Sequence, residues 1–516
     1  LYGLNIHGVI AAGNNYKGMD YMDCIAVDLG ASNGRTMLGR FDGKRLTLEE
    51  LNRFENNYVQ VGESYYWDVL LMYSNIKDGL KQYAKQYGGD AAGIGIDTWG
   101  VDFGLLDKQG RLAGNPRAYR DPRGERGMRA FHAKYGERSA FDLTGIANMQ
   151  FNTLYQLYDM VLSEDPQLEI AHTLLTMPDL LAYMLSGVAT TEYTHATTTQ
   201  MLDAKTGKWS QDIMKMCGIS PSIFANIQNC GEAKGKLLHV IASETGLGGL
   251  PNVYCVGSHD TASAVASIPA TTKNYAFISS GTWSLIGIVT DHAIINDLVY
   301  QNEFSNEGTV DGGYRPLRNI MGLWIIQSCK RQWDKEEKIS WDDVVKMAES
   351  APAFGSFIDV NALLFYDGDN MPQKIQSFCA ETGQKVPQTK GEIARTVYES
   401  LAMSYREAFL GLEQLKQGRI DVMHIVGGGS KNRFLNQLTA NVLDREVIAG
   451  PGEATAIGNI MVQMKAAGAV KDSAEMSEVI RTSFGVESFA PQNAHAWIEQ
   501  YERYLRLKQE YRERKN

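Results

Sequence analysis

Two aspartates in this chain follow apolar, strand-like runs and precede small-residue turns, which is where a carboxylate has chemistry to do. Asp260 lies in Gly257-Ser258-His259-Asp260-Thr261-Ala262-Ser263-Ala264, after the run VYCV. A carboxylate near the C-terminal end of a strand, opening a helix, projects into the crevice where α/β proteins bind ligands. There it could take the proton of a hydroxyl attacking phosphorus. The plainer alternative is a cap for the next helix. Ser258, His259 and Asp260 are consecutive, and a catalytic triad is defined by geometry rather than by such spelling.

Asp28 opens Asp28-Leu29-Gly30-Ala31-Ser32-Asn33-Gly34-Arg35, a turn flanked by glycines. It offers a carboxylate for a hydrated metal ion and exposed N–H groups for phosphate oxygens, or it is an ordinary hairpin. The same letters fit the G-x-S-x-G nucleophile elbow, but the segment that follows, RTMLGRF, is strand-like, and the elbow needs a helix there. A second hairpin signal, Ile278-Ser279-Ser280-Gly281-Thr282-Trp283-Ser284, echoes the first about half a chain later. Val426-Gly427-Gly428-Gly429-Ser430-Lys431-Asn432 would let backbone approach a phosphorylated or planar ligand, or is simply a tight turn. In Gly95–Gly104, Asp97 and Asp102 with Trp99 between them would present sugar acceptors and a stacking face, or form a buried strand with polar ends. Asp102-Phe103-Gly104 spells a protein-kinase motif without the loops that accompany it.

These segments need elements to hold them. CIAVDLG and RTMLGRF read as a strand pair, and Trp67, Leu70, Leu71, Leu80 and Tyr83 recur at helical spacing before Gly88-Gly89. AGIGIDTW is the next strand. In the second half, Glu392–Leu415 predicts a long amphipathic helix carrying Ile393, Val397, Leu401, Ala408 and Leu412 on one face. DVMHIV and REVIAG read as strands, with helices over Arg433–Leu443 and Thr455–Ala467. The charged stretch Ala494–Asn516 reads as a solvated surface helix. Repeated strand–turn–strand openings predict duplicated α/β domains facing one another, with a boundary near Ser267–Lys273.

A chain of 516 residues exceeds one compact core. Its net charge of −10 argues against nucleic acid as the main partner. The six cysteines, Cys24, Cys217, Cys230, Cys255, Cys329 and Cys379, form no zinc-like spacing and read as buried thiols of a reducing compartment. No apolar run approaches the roughly 20 residues that cross a bilayer, so a cytoplasmic protein without a membrane partner is expected. Residues 1–22 read as an extension outside the fold.

Taken together and in order, the hairpin D-L-G-A-S-x-G-R, the 94–104 segment, H-D, S-G-T-W and G-G-G resemble the FGGY carbohydrate kinase family. IGIDTWGVDFGLLD (94–107), FNTLYQL (151–157), EYTHATTTQ (192–200), SHDTASAV (258–265), SSGTWSL (279–285) and NIMGLW (319–324) are similar to the branch of that family acting on L-rhamnulose. The resemblance implies an α/β fold of two ribonuclease-H-like (actin-like ATPase) domains with a cleft between them. It divides the chain into a sugar-binding domain over 23–268, an ATP-binding domain over 269–470 and a helical segment over 471–516. It implies ATP and Mg²⁺, with Asp260 as general base phosphorylating the 1-hydroxyl. Gly100, His259, Asp260, Thr261 and Asn319 would hold the sugar. Ala31, Ser32, Asn33, Gly34, Arg35, Thr282, Gln327 and Gly428 would hold ATP, and Asp28 a metal through water. Asn33 stands where the family's hairpin leads us to expect Ser. A monomer or homodimer is expected. The alternatives are a kinase of L-fuculose or xylulose, an actin- or chaperone-like ATPase and a non-catalytic sugar sensor.

Overall fold

The computed structural model describes residues 21–515. Two sheets carry the architecture. The first is built from β1 (Met22–Leu29), β2 (Asn33–Phe41), β3 (Leu46–Glu55), β4 (Gly93–Thr98), β5 (Ala233–Lys236) and β6 (Asn252–Tyr254), in spatial order β5-β6-β4-β1-β2-β3. The second contains β7 (Tyr275–Ser280), β8 (Ser284–Gly287), β9 (Ser305–Gly308), β10 (Tyr314–Ile320), β11 (Val422–Val426), β12 (Glu446–Ala449) and β13 (Glu487–Phe489), in order β9-β10-β8-β7-β11-β12-β13.

Laid side by side, β3-β2-β1-β4-β6-β5 matches β10-β8-β7-β11-β12-β13 in strand direction at every step. Two antiparallel pairs lead into two parallel pairs, and an antiparallel strand closes the edge. The expected duplication is therefore present strand for strand, with β9 added outside β10. The copies differ at one edge: β5 precedes its partner β6 in the chain, whereas β13 follows β12.

Helices cover these sheets. In α1 (Val69–Tyr87), Asp68 caps the start and Gly88, at φ 86°, closes the end. Val69, Met72, Ile76, Leu80 and Tyr83 are buried, Leu80 and Tyr83 as expected, while Leu70 and Leu71 are more than half exposed, so the expected stripe fails only in the first turn. Trp67 ends a short strand instead of starting the helix, because its indole donates to buried Asp102. The short helix α2 (Tyr193–Thr198) lies against β9 of the second sheet, α3 (Asp260–Ala266) lies beside β4 of the first, and α4 (Trp324–Trp333) follows β10. The long helix α5 (Lys390–Lys416) buries all five apolar residues of its predicted face. It ends at Gln417, in the left-handed region at φ 53°, one residue before the glycine expected to stop it.

Helix α6 (Ala454–Ala466) packs Ala456, Ile457, Ile460 and Met461 against Ala26, Met37, Tyr254 and Val256 of the first sheet. It also crosses α3 at Gly458, where any Cβ would meet the Ser263 carbonyl oxygen at 1.8 Å. These two helices follow the matching strands β6 and β12, so the halves meet through equivalent elements. The last helix, α7 (Ala494–Lys515), is not a solvated surface helix along its length: Trp497, Tyr501, Tyr504 and Tyr511 are buried in the second core. Their spacing of four, three and seven residues makes a helical apolar face that the many charges hide. The cysteines are free thiols, and all but the half-buried Cys230 are buried. The extension read at 1–22 lies outside the described residues except for its end, where Met22 begins β1. No helix among the described residues is long and apolar enough to cross a membrane.

Candidate active site

The tips of β1 and β4 lie side by side, with Asp28 opposite Asp97 in register. The loop after β6 extends this edge: Thr98 N donates to the Ser258 carbonyl at 2.9 Å, and Thr98 bridges His259. Asp260 is thereby the first residue of α3 at the same sheet edge as Asp28 and Asp97. A third of its side chain stays open, and Thr261 Oγ1 donates to its Oδ1 at 3.2 Å. Burial, and after it the Asp28 charge, pushes the Asp260 carboxyl up, while His259 opposes the shift.

The turn over residues 31–35 is fixed by Gly30 N donating to Asn33 O at 2.8 Å and by Asn56, which bonds Gly30 O and Ser32 O. Ser32 and Asn33 are exposed and Ala31 half-buried, whereas Gly34 is buried against Phe54. Arg35 already has partners: its Nε and Nη2 reach Asp28 Oδ2 at 3.0 and 2.7 Å, and its Nη1 pairs with Glu453 at the start of α6. Lys431 also meets Glu453, at 3.0 Å, so a charge chain crosses from the first hairpin to the glycine turn of the second domain.

In that domain, Gly427 and Gly429 are packing residues. Added Cβ atoms would meet Ser280 O at 2.9 Å and Ser280 Oγ at 2.0 Å, respectively. Gly428 between them is exposed and would meet nothing within 4 Å. Thr282 stands half-exposed in the second hairpin, whose turn is tied to the start of α4 by Trp324 N donating to Thr282 O at 3.1 Å. Gln327 is one turn further along α4. Asn319, on β10, pairs with Leu285 and is half-buried.

The sugar-acceptor reading of Asp97 and Asp102 does not hold. Both are fully buried. Asp102 accepts from Trp67 Nε1, Trp99 Nε1, Tyr119 N and Gln156 Nε2 at 2.7, 2.9, 3.0 and 3.1 Å, and burial still raises it to about 6. Trp99 lies against Trp67, with ring centroids 4.2 Å apart, and is not an open stacking face. Asp97 accepts from Asn459 of α6, and burial with the Asp28 charge drives it well above the ordinary carboxylate range. Its Oδ1 is buried without a partner among the described residues. What the segment does present is Gly100, where a Cβ would stand 3.3 Å from Thr198 Oγ1 and 3.4 Å from His259 Nε2.

Val101 has φ 70°, a conformation that a β-branched residue rarely tolerates, and Asp102 N donates to Gly100 O across it at 2.9 Å. The turn is held by Thr198 Oγ1 on Val101 N at 3.2 Å and by Thr153 on Val101 O. Strain of this kind persists only where neighbours over-determine it.

Thr153 comes from FNTLYQL and Thr198 from EYTHATTTQ, and the latter stretch makes further ties. The buried Glu192 carboxylate accepts from Thr194 N, His195 N, Ser258 N and the Ser258 hydroxyl. Thr194 Oγ1 accepts from His259 N at 3.4 Å, and Thr197 Oγ1 accepts from Gly308 N of the second domain at 2.8 Å. One short helix thus ties together the Gly100 loop, the Asp260 loop and the other domain. Sequence reading had marked this stretch as a signature but found no role for it. It missed Glu307 and Arg315 altogether, whose approach to His259 leaves no trace in spacing. It also missed Arg120, whose guanidinium lies 5.4 to 5.5 Å from the rings of Tyr119, Trp324 and Tyr366.

A part-open aspartate at the junction of duplicated domains, with the Asp28 hairpin beside it, suits an enzyme that phosphorylates an alcohol. Comparison with known proteins agrees. Residues 24–266 match the N-terminal domain, and residues 276–467 the C-terminal domain, of the FGGY family of carbohydrate kinases. The chain belongs to that family. A rhamnulokinase of Bacteroides thetaiotaomicron is 42% identical over 92% of this chain and 97% of its own length. One from Enterococcus faecalis is 40% identical over 90% and 93%. Among solved structures, xylulose kinase from Lactobacillus acidophilus superposes with a TM-score of 0.78 at 15% identity, covering 94% of this chain and 97% of its own. Gluconate kinase from the same organism gives 0.78, covering 95% and 98%.

Proposed function

We propose that this enzyme phosphorylates L-rhamnulose at its 1-hydroxyl with ATP, releasing L-rhamnulose 1-phosphate and ADP. The observation that carries the chemistry is Asp260, a carboxylate made more basic than usual by burial and by Asp28, yet one-third open at the domain junction. It takes the hydroxyl proton as the oxygen attacks the γ-phosphorus. Full-length similarity to rhamnulokinases supports the choice of sugar.

The sugar lies against Gly100 and His259 of the first domain, beside Asp260, and is reached by Asn319 from the second. Thr261 is itself buried and acts through Asp260, which its hydroxyl orients. ATP lies along residues 31–35, Thr282, Gln327 and Gly428, with exposed Gly428 letting the nucleotide approach bare backbone. Arg35 shapes this site by anchoring Asp28 and Glu453.

The residues fit a hydrated Mg²⁺ rather than a caged ion. Asp28 is a hard oxygen donor at the sheet edge, but no group of three or more ligands among the described residues could hold a metal directly. When bound, Mg²⁺ screens the charge of the transferring phosphoryl group. Closure of the domains excludes water and brings the hydroxyl into line, and positioning and electrostatics supply most of the rate. A cytoplasmic location belongs to the same proposal.

A coupled ADP-release assay over a ketose panel tests the reading. L-rhamnulose is expected to give the highest kcat/KM, ahead of L-fuculose and xylulose. Equal ATP hydrolysis with and without sugar would replace the kinase reading by an actin- or chaperone-like one.

A further inference from the structure

Glu307 on β9 and Arg315 on β10 are cross-strand partners in the second domain, and their side chains meet beneath His259 of the first. Glu307 Oε2 lies 2.9 Å from His259 Nδ1 and 2.7 Å from Arg315 Nη2. Arg315 Nη2 lies 2.7 Å from the same His259 Nδ1. On its other side, His259 Nε2 is 3.4 Å from Asp260 Oδ1 and faces Gly100. The remaining group beside the ring is His195, 6.3 Å away between centroids and held neutral by its burial.

Arginine only donates hydrogen bonds, and an ionised carboxylate only accepts them. Burial alone would raise Glu307, but the charges and hydrogen bonds of His259 and Arg315 bring it down to about 2, so it is ionised. If Nδ1 accepts from Arg315, the hydrogen of a neutral ring is on Nε2. If Nδ1 donates to Glu307 in a cationic ring, Nε2 carries a hydrogen as well. Only the neutral Nδ1–H form leaves Nε2 bare, and that form would set a lone pair against the Asp260 carboxylate. Both compatible states therefore point an Nε2–H at Asp260. Arg315 is fully buried, with its Nε and Nη1 unpartnered among the described residues. Such a pair is a poor source of stability and is better explained by what it orients.

We propose that Glu307, held by Arg315, is a positioning residue that reaches across from the second domain and fixes His259 with Nε2–H toward Asp260 and the sugar. The base is then fully oriented only while the two domains are together, which couples proton abstraction to closure and keeps it from running in an open cleft.

The inference rests on Asp260 as the base, and the variants separate the two ideas. In a Glu307→Leu/Arg315→Met double variant the charged pair is removed as a unit and little volume is lost. Its kcat is expected to fall at least about 30-fold, a partial loss of the roughly 100- to 10,000-fold that a general base contributes. The KM for ATP should stay within about twofold and the melting midpoint near that of the wild type. Glu307→Gln should restore kcat to within about fivefold, because its amide can accept from Arg315 while donating to Nδ1. A double variant with kcat within twofold of wild type overturns the proposal, as does Glu307→Gln being as impaired as the double variant. If Asp260→Asn is inactive beside a fully active double variant, only the role of Glu307 falls. If Asp260→Asn turns over normally, the base assignment itself falls. Should the double variant not fold, ¹⁵N shifts of His259 in the wild-type enzyme decide, and a bare Nε2 overturns the proposal. All rates are read on whichever ketose of the panel is turned over.

Discussion

At the scale of single residues, the site is a set of carboxylates sorted by environment. Asp260 keeps access to the cleft, Asp28 is tied to Arg35, and Asp97 and Asp102 are sealed from solvent. Asp260→Asn is expected to lower kcat at least about a hundredfold with a small change in KM, as for loss of a general base; stopped-flow or coupled turnover reads this directly. Because burial raises Asp260, the acid limb of kcat/KM should lie above the ordinary carboxylate range, activity rising with pH as that carboxyl ionises. His195 gives a second, opposite signal in stability. Burial lowers it from 6.5 to about 3. The unfolded chain therefore binds a proton below pH 6.5 that the folded chain refuses until about pH 3. Stability from this residue is complete above that window and lost as pH falls through it. Urea titrations across that range should show a slope that His195→Leu removes. The place of Asp260 after a strand and at the start of a helix was legible because its neighbours in sequence carry the pattern, whereas the sealing of Asp102 depends on indoles contributed from 3 and 35 residues away.

At the scale of elements, the glycine turn after β11 sets an open glycine, the one proposed to meet ATP, between two packing glycines. Gly429→Ala forces a Cβ to within 2.0 Å of Ser280 Oγ and should destabilise the second domain by about 1–3 kcal/mol, as overpacking does. Gly428→Ala meets nothing within 4 Å, so its melting midpoint should be unchanged while the KM for ATP rises. Calorimetry beside ATP titrations separates the two; a Gly428 variant with normal ATP affinity removes this turn from the nucleotide site. The sequence pattern located α5 to within two residues at either end, because a strong apolar face and the Thr389–Glu392 capping box both declare it. It misplaced the first turn of α1, where Leu70 and Leu71 are apolar yet face out, since periodicity counts residue types and cannot see which flank the sheet covers.

At the scale of the whole molecule, the two domains are joined by more than a linker. Helix α6 of the second lies on the sheet of the first, its Gln463 bonding Ile25 O at 3.0 Å and its Asn459 bonding Asp97. On another face, Arg120 of the first domain stands over Trp324 and Tyr366 of the second, and Phe151 meets Trp283 edge-on at 6.4 Å. One cation–π contact of this kind contributes about 0.5–2 kcal/mol. Arg120→Gln should therefore shift the ensemble toward open forms and raise the apparent KM of the ketose by up to about 30-fold. Small-angle scattering with both ligands present should show a larger radius of gyration, and an unchanged profile with unchanged KM would exclude a clasping role.

The chain's local pattern alone determined that an α/β unit occurs twice, where each copy's hairpin turns, and which aspartate follows a strand into a helix. Those properties live in contiguous residues, where side-chain period and turn chemistry act over a few positions. Tertiary structure alone decided that Glu192 pins the Ser258 loop, that Arg35 is committed to Asp28 and Glu453, and that His259 is oriented from the opposite domain. Each of these pairs lies dozens to hundreds of residues apart or joins separate domains, except Asp28 and Arg35, which face each other across one hairpin. Burial then sets the charge each group carries, and burial is a property of the packed molecule, not of the local sequence.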